Sequence, residues 1–245
     1  MLLKTPKMKP TRLLAGLACL LLAGCGQQDP AFESQMREYL LAHPEVIQEA
    51  AIKLKQKRAA EAGRTLKEAR GRLETDPRDF VANPGGSITV VQFFDYRCTY
   101  SRAIAPDVLK LVEQNPDVRF VFKEYPVFGS ASDAAAKAAL TPQGKAKGLE
   151  LYRSFMSQKT LTDARLDSAI RSAGLDPQGV RTAALSPEIE QQILDTRTLA
   201  QQINVKGTPT FVVGGQVVQG ADIETLRQAI SRARSASYEA LASAR

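Results

Sequence analysis

Tryptophan is absent from the 245-residue chain, histidine occurs once, cysteine occurs three times, and aromatic residues make up 6%. A single histidine excludes a multi-histidine metal centre, and Cys19, Cys25 and Cys98 do not fall at the close spacings of a zinc or iron–sulfur ligand set. The one histidine, His43, stands beside Pro44 with no partner at ligand spacing and reads as a surface residue, so neither metal nor cofactor is expected. No apolar run is long either: Leu13 to Leu22 is about ten residues, short of the roughly 20 that span a bilayer. Charge is similarly unbiased. The formal +7 falls to +3 once Lys4, Lys7, Lys9 and Arg12 are set aside with the N-terminus, too mild to argue for nucleic acid.

Residues 1–12 are basic, the short apolar run follows, and Leu22-Ala23-Gly24-Cys25 closes it. This reads as a signal peptide over 1–24 rather than a fold element. Its end resembles the lipobox of bacterial lipoproteins, which implies cleavage before Cys25, acylation of that thiol, and a periplasm-facing, lipid-anchored protein. Gly26, rather than an aspartate, follows the lipid-bearing cysteine, which favours the outer membrane. Cys98 would then be the sole free thiol of the mature chain, which could form no internal disulfide.

Residues 25–75 read as a spacer and helical segment. Phe32, Met36, Tyr39 and Leu40 recur at helical spacing up to Pro44, which opens a longer helix with Ile47, Ala51 and Leu54, then Ala62, Leu66, Ala69 and Leu73. So little apolar surface requires packing on the next domain or self-association. The basic residues Lys53, Lys55, Lys57 and Arg58 read as a solvated face. Asp76 to Gly86 is a turn-rich hinge. Beyond it, Ile88–Phe94 reads as a buried strand, Ile104, Val108, Leu111 and Val112 as one helix face, and Val118, Phe120 and Phe122 as the next strand. From about 130 to 205 helix starts repeat: Thr141-Pro142, Asp176-Pro177 and Ser186-Pro187 each set a capping residue before a proline at the first helical position. A hairpin about Gly214-Gly215 and a helix from Ile223 close an α/β chain over 76–240.

The segment Phe93-Phe94-Asp95-Tyr96-Arg97-Cys98-Thr99-Tyr100-Ser101, with Ile104-Ala105-Pro106-Asp107, resembles the active-site strand and helix of DsbA-family thiol:disulfide oxidoreductases, in particular relatives linked to copper resistance. Val205-Lys206-Gly207-Thr208-Pro209-Thr210-Phe211 resembles the family's cis-proline loop. The resemblance implies a thioredoxin-like fold with an inserted helical domain and a helical N-terminal segment, and, from relatives, a homo-oligomer, a trimer. It implies a catalytic Cys98 and substrate binding along Thr208, Pro209 and Thr210.

A cysteine in the first turn of a helix meets unpaired backbone N–H groups and the positive end of the helix dipole, which favour thiolate. Ser101 occupies the second cysteine's position, on the same helix face; its hydroxyl can donate a hydrogen bond to the thiolate but cannot resolve a mixed disulfide. Gln92 stands where the family usually has a glutamate, and Lys123 matches the family's lysine beside it. Asp95 either tunes the thiol or caps the turn, and Glu124 reads as a solvent-facing strand residue. The leading reading is a single-cysteine oxidoreductase or isomerase whose partners are exported cysteine-containing proteins or a small thiol. The rival is a redox-inactive binding module on the same fold. Copper binding follows only from the relatives, and one thiol makes a poor soft-metal site.

Overall fold

The computed structural model describes residues 30–243. Cys25, its proposed lipidation and the signal segment lie outside them. Two compact units divide at Lys57/Arg58. In the first, helix α1 (Pro30–Ala42) ends at the residue before His43-Pro44, and helix α2 (Glu45–Glu74) begins just past the proline. His43 is surface-exposed and bonds Glu45. Among the described residues, no helix is long and apolar enough to cross a membrane.

The second unit takes in the last turns of α2, which bury Leu66, Ala69 and Leu73. Its sheet has the order β1-β3-β2-β4-β5, from β1 (Phe80–Ala82), β2 (Ile88–Phe94), β3 (Val118–Glu124), β4 (Thr210–Val213) and β5 (Gln216–Gln219). β2 and β3 run parallel, and the remaining pairs are antiparallel. A parallel pair needs a crossover, supplied by helix α3 (Thr99–Gln114). The turn-rich reading of 76–86 is corrected by β1, which pairs Phe80 with Phe122. Three residues are too few to show alternation.

Both sheet faces are covered, so β2 and β3 are buried at every position but one in each strand. On one face Val90, Phe94, Phe120 and Phe122 meet Ile104, Val108 and Leu111 of α3. On the other, Val91, Phe93 and Val121 meet Leu66, Ala69 and Leu73 of α2 with Leu199 and Ala200. Between β3 and β4 the helical insertion runs α4 (Ser130–Leu140), α5 (Pro142–Ala146), α6 (Gly148–Ser157), α7 (Asp163–Ser172), α8 (Pro177–Ala183) and α9 (Pro187–Gln202). The capping residues read from sequence do their work: Thr141 accepts from Gly144 N, Asp176 from Gln178 N and Gly179 N, and Ser186 from Glu188 N. Gly214 and Gly215 both take positive φ, as the β4–β5 turn requires. Helix α10 (Ile223–Ser243) packs Leu226, Ala229 and Ile230 beneath α3's face.

Strand alternation separates two residues that the sequence placed together. Gln92 lies opposite Phe122 and Lys123 opposite Phe93, so Gln92 faces the α3 layer and Lys123 the α2 layer. Lys123 is buried against Asp79 in an ion pair and donates to the Arg72 carbonyl at 2.6 Å. It ties β3 to the end of α2 and the approach to β1. Burial outweighs the Lys123 attraction and pushes the Asp79 carboxyl up to about 6.

Lys123→Met should therefore cost about 3–5 kcal/mol in denaturant unfolding, because it strands a buried carboxylate. The raised carboxyl binds its proton more tightly folded than unfolded, so the Asp79 contribution is present below about pH 4 and fades as pH rises toward 6. Asp79→Asn should flatten that slope in melts across the same window.

Candidate active site around Cys98

Cys98 is the N-cap of α3, in extended backbone conformation (φ −65°, ψ 120°), with no side-chain cap bond of its own. Its backbone N–H donates to the Asp95 carbonyl at 3.1 Å, closing the turn that leaves β2. The thiol points across to the second motif and donates at 3.0 Å to the Thr208 carbonyl, which belongs to the cis Thr208–Pro209 bond. Thus the helix start and the proline loop, 110 residues apart in sequence, meet at one sulfur. Cys98 is buried, with 4% of its surface exposed. It is the one free cysteine among the described residues.

Ser101, at the third position of α3, is fully buried, and its hydroxyl has no hydrogen-bond partner among the described residues. In an N-cap arrangement the side chain three residues on lies over the cap residue, which is where a resolving thiol would act. The Thr208 hydroxyl is likewise buried without a partner among them.

Asp95 caps the turn rather than standing free. Its carboxylate accepts from Arg97 N at 2.6 Å, Val127 N at 2.7 Å, Phe128 N at 3.1 Å and Ser132 Oγ at 2.8 Å. One buried side chain thus pins the Cys98 turn, the loop after β3 and the first turn of α4. Arg97 adds a bond from its guanidinium to the Phe128 carbonyl.

Three expectations are corrected. Thr210 offers no edge to a peptide: its backbone lies between Phe93 of β2 and Gln219 of β5, and its hydroxyl lies 2.7 Å from the Gly207 carbonyl and 2.8 Å from the Gln219 side chain. Gly207 and Thr208, exposed and half-buried, form the accessible part of the loop. Gln92 and Lys123 do not form one group beneath the thiol: Gln92 exchanges a 3.1 Å hydrogen bond with the Tyr152 hydroxyl, while Lys123 serves the opposite face. Glu124 is buried instead of solvent-facing, accepting from the Tyr96 hydroxyl at 2.7 Å. Burial pushes its carboxyl well above the usual range, although the Tyr96 hydroxyl pulls the other way. Positions 118, 120 and 122 already marked the core face, and two more steps along β3 reach Glu124.

Asp95→Ala should destabilise the fold by about 2–4 kcal/mol, since it leaves several buried donors unpaired at once. Hydrogen exchange should show the loss concentrated in Arg97, Val127 and Phe128, with protection in β4 retained.

Comparison with known proteins follows the same division. Residues 89–231 match the model of the DSBA-like thioredoxin domain, and residues 28–61 that of the copper resistance protein ScsC N-terminal domain. A thioredoxin-like oxidoreductase from Silicibacter pomeroyi DSS-3 is 36% identical, with a TM-score of 0.64 over 68% of this chain and 98% of that one. Proteus mirabilis ScsC in a transitional conformation is 26% identical, with a TM-score of 0.64 over 84% and 98%. A periplasmic thioredoxin-like protein from Salmonella enterica serovar Typhimurium is 28% identical, with a TM-score of 0.62 over 67% and 94%. The chain spans about a quarter of the length of the curated relatives it matches, such as the Na(+)/H(+) antiporter NhaA 1 of Salinispora arenicola, 28% identical over 167 residues that make up 66% of this chain and 26% of that protein. The DSBA-like match covers more than half of the sequence and contains both halves of the Cys98 site, and the chain belongs to the DsbA-like thioredoxin family.

Proposed function

We propose that this chain is a thiol–disulfide exchange protein of the bacterial periplasm that works through Cys98 alone. The observation that carries the reading is the seat of its sulfur, at the N-terminus of α3 and within hydrogen-bond reach of the loop carbonyl before Pro209. The unpaired N–H groups of α3 stabilise the thiolate. Deprotonated Cys98 attacks one sulfur of a substrate disulfide; the Cys98–S bond forms, the substrate S–S bond breaks, and the departing thiolate takes a proton from solvent. A second thiol, on the substrate or free, then attacks the mixed disulfide and returns Cys98 as thiolate. With Ser101 beside the sulfur, no step within the described residues can eject the substrate, so isomerisation and thiol-dependent exchange are favoured over dithiol oxidation.

The surroundings suit exported cysteine-containing polypeptides. Tyr100, Val127 and Phe128 expose large apolar surface on the segments flanking the thiol, and Gly207 and Thr208 present loop backbone beside it. A small thiol fits the same chemistry. The periplasmic assignment draws on the Salmonella relative, and anchoring to the outer membrane through Cys25 on the sequence pattern. In the first unit Phe32, Met36, Tyr39, Leu41, Ile47, Ile52 and Leu54 expose apolar side chains, which supports self-association through α1 and the start of α2, as a trimer.

The 4% exposure of Cys98 favours a second reading, a binding module that retains the groove without the chemistry. Incubation with a peptide disulfide separates the two. Exchange predicts a covalent peptide adduct that accumulates in the wild type, is absent from Cys98→Ala, and fails to persist in Ser101→Cys, where the restored thiol releases the peptide and leaves an internal disulfide. A thiol that forms no adduct until denaturant is added would establish the binding module. On the assembly, light scattering should give a multiple of the chain mass that reverts to monomer when residues 30–57 are removed.

A further inference from the structure

The mechanism above leaves one buried ionisable group at the site's end of the sheet unused. Glu124 is the last residue of β3, directly opposite Phe94, the last residue of β2, and the two strand ends are joined by the 3.0 Å bond from Tyr125 N to the Phe94 carbonyl. Parallel strands bring their carboxyl ends to the same edge, which is the edge from which the Cys98 turn departs. Glu124 lies on the sheet face that packs against α3. One carboxyl oxygen accepts from Tyr96, two residues before Cys98, and the other has no hydrogen-bond partner among the described residues.

We propose that Glu124 is a positioning residue for exchange, a buried proton-holding group whose charge state governs how readily Cys98 reacts as pH changes. The proposal rests on the exchange reading and adds a second acid to it. When Glu124 is neutral, the developing thiolate meets no competing charge; once Glu124 ionises, a buried anion on the same side of the sheet opposes a second negative charge at Cys98. Tyr96 links the two, because its hydroxyl binds the carboxyl while its backbone belongs to the turn that presents the thiol.

Among the described residues no cation pairs with Glu124, and the groups facing it are acids and neutral side chains. From the β2–α3 turn come Tyr96 and Asp95, from α6 comes Tyr152, and from β2 the neutral Gln92 bonded to it. Asp79, before β1, adds a negative field but is paired with Lys123 across the sheet. Burial and these acids together raise the Glu124 carboxyl, and only the Tyr96 hydrogen bond lowers it.

The test follows the reaction of the full chain with a small aromatic disulfide, by absorbance, between about pH 4 and pH 10, a range spanning carboxyl and thiol titration. The wild type should show two steps in rate. Glu124→Gln, which keeps an acceptor for Tyr96, should show one step and react at least about threefold faster where the wild type lies between its steps. Tyr96→Phe removes the bond that lowers the carboxyl, so the first step should move to higher pH; this variant serves if Glu124→Gln does not fold. Superimposable wild-type and Glu124→Gln profiles, or a first step unmoved in Tyr96→Phe, would overturn the proposal while leaving exchange intact. A wild type that reacts at no pH would remove the exchange reading itself, and this inference with it.

Discussion

Four hydrogen bonds converge on the Asp95 carboxylate, and the geometry of the site depends on them. They come from the Cys98 turn, from the loop after β3 and from the first turn of the helical insertion. Without a common acceptor, these donors would lie buried and unpaired where the Cys98 turn meets a stretch of chain some 30 residues further on, the loop after β3 and the start of α4. With it, β2 ends at a fixed place and α3 begins with Cys98 at its N-cap. The insertion likewise starts from a set position relative to the sheet. The thiol is then held between a helix start and the Thr208 carbonyl.

The two polar residues at the C-terminal end of β3 show how strand alternation sends neighbouring side chains to different layers. Lys123 faces α2, where its ion pair with Asp79 and its bond to Arg72 hold the N-terminal side of the unit to the sheet. Glu124, one residue later, faces α3 and touches the Cys98 turn through Tyr96. With Ser101 three residues beyond Cys98 and the neutral Gln92 on β2, the chain thus carries a buried acid one strand away, at the end of β3. The surroundings of Cys98 are therefore polar and ordered.

Much of this was legible in the sequence because it rests on local rules. Proline after a capping residue marks three helix starts in the insertion, and paired glycines mark the β4–β5 turn. Two motifs far apart meet at one cysteine. The failures all concern register or burial. Gln92 and Lys123 look adjacent when strands are compared by eye, and only the parallel pairing of Gln92 with Phe122 puts them on opposite faces. Glu124 reads as solvated because a carboxylate at a strand end ordinarily is, though the period of the strand points it inward. Thr210 looked available because its partners on β2 and β5 come from segments over 100 residues before it and a few residues after it, and no local pattern reveals that both sides are filled.

Exposure of the native protein to glutathione disulfide, followed by intact-mass measurement without denaturant, tests the central claim most directly. A reactive thiol at the start of α3, with no second cysteine among the described residues, should take a glutathionyl group on Cys98 and keep it until a reducing thiol is added. A folded chain that stays unmodified, yet takes up the adduct once unfolded, would contradict the account and mark Cys98 as a packed, inert side chain.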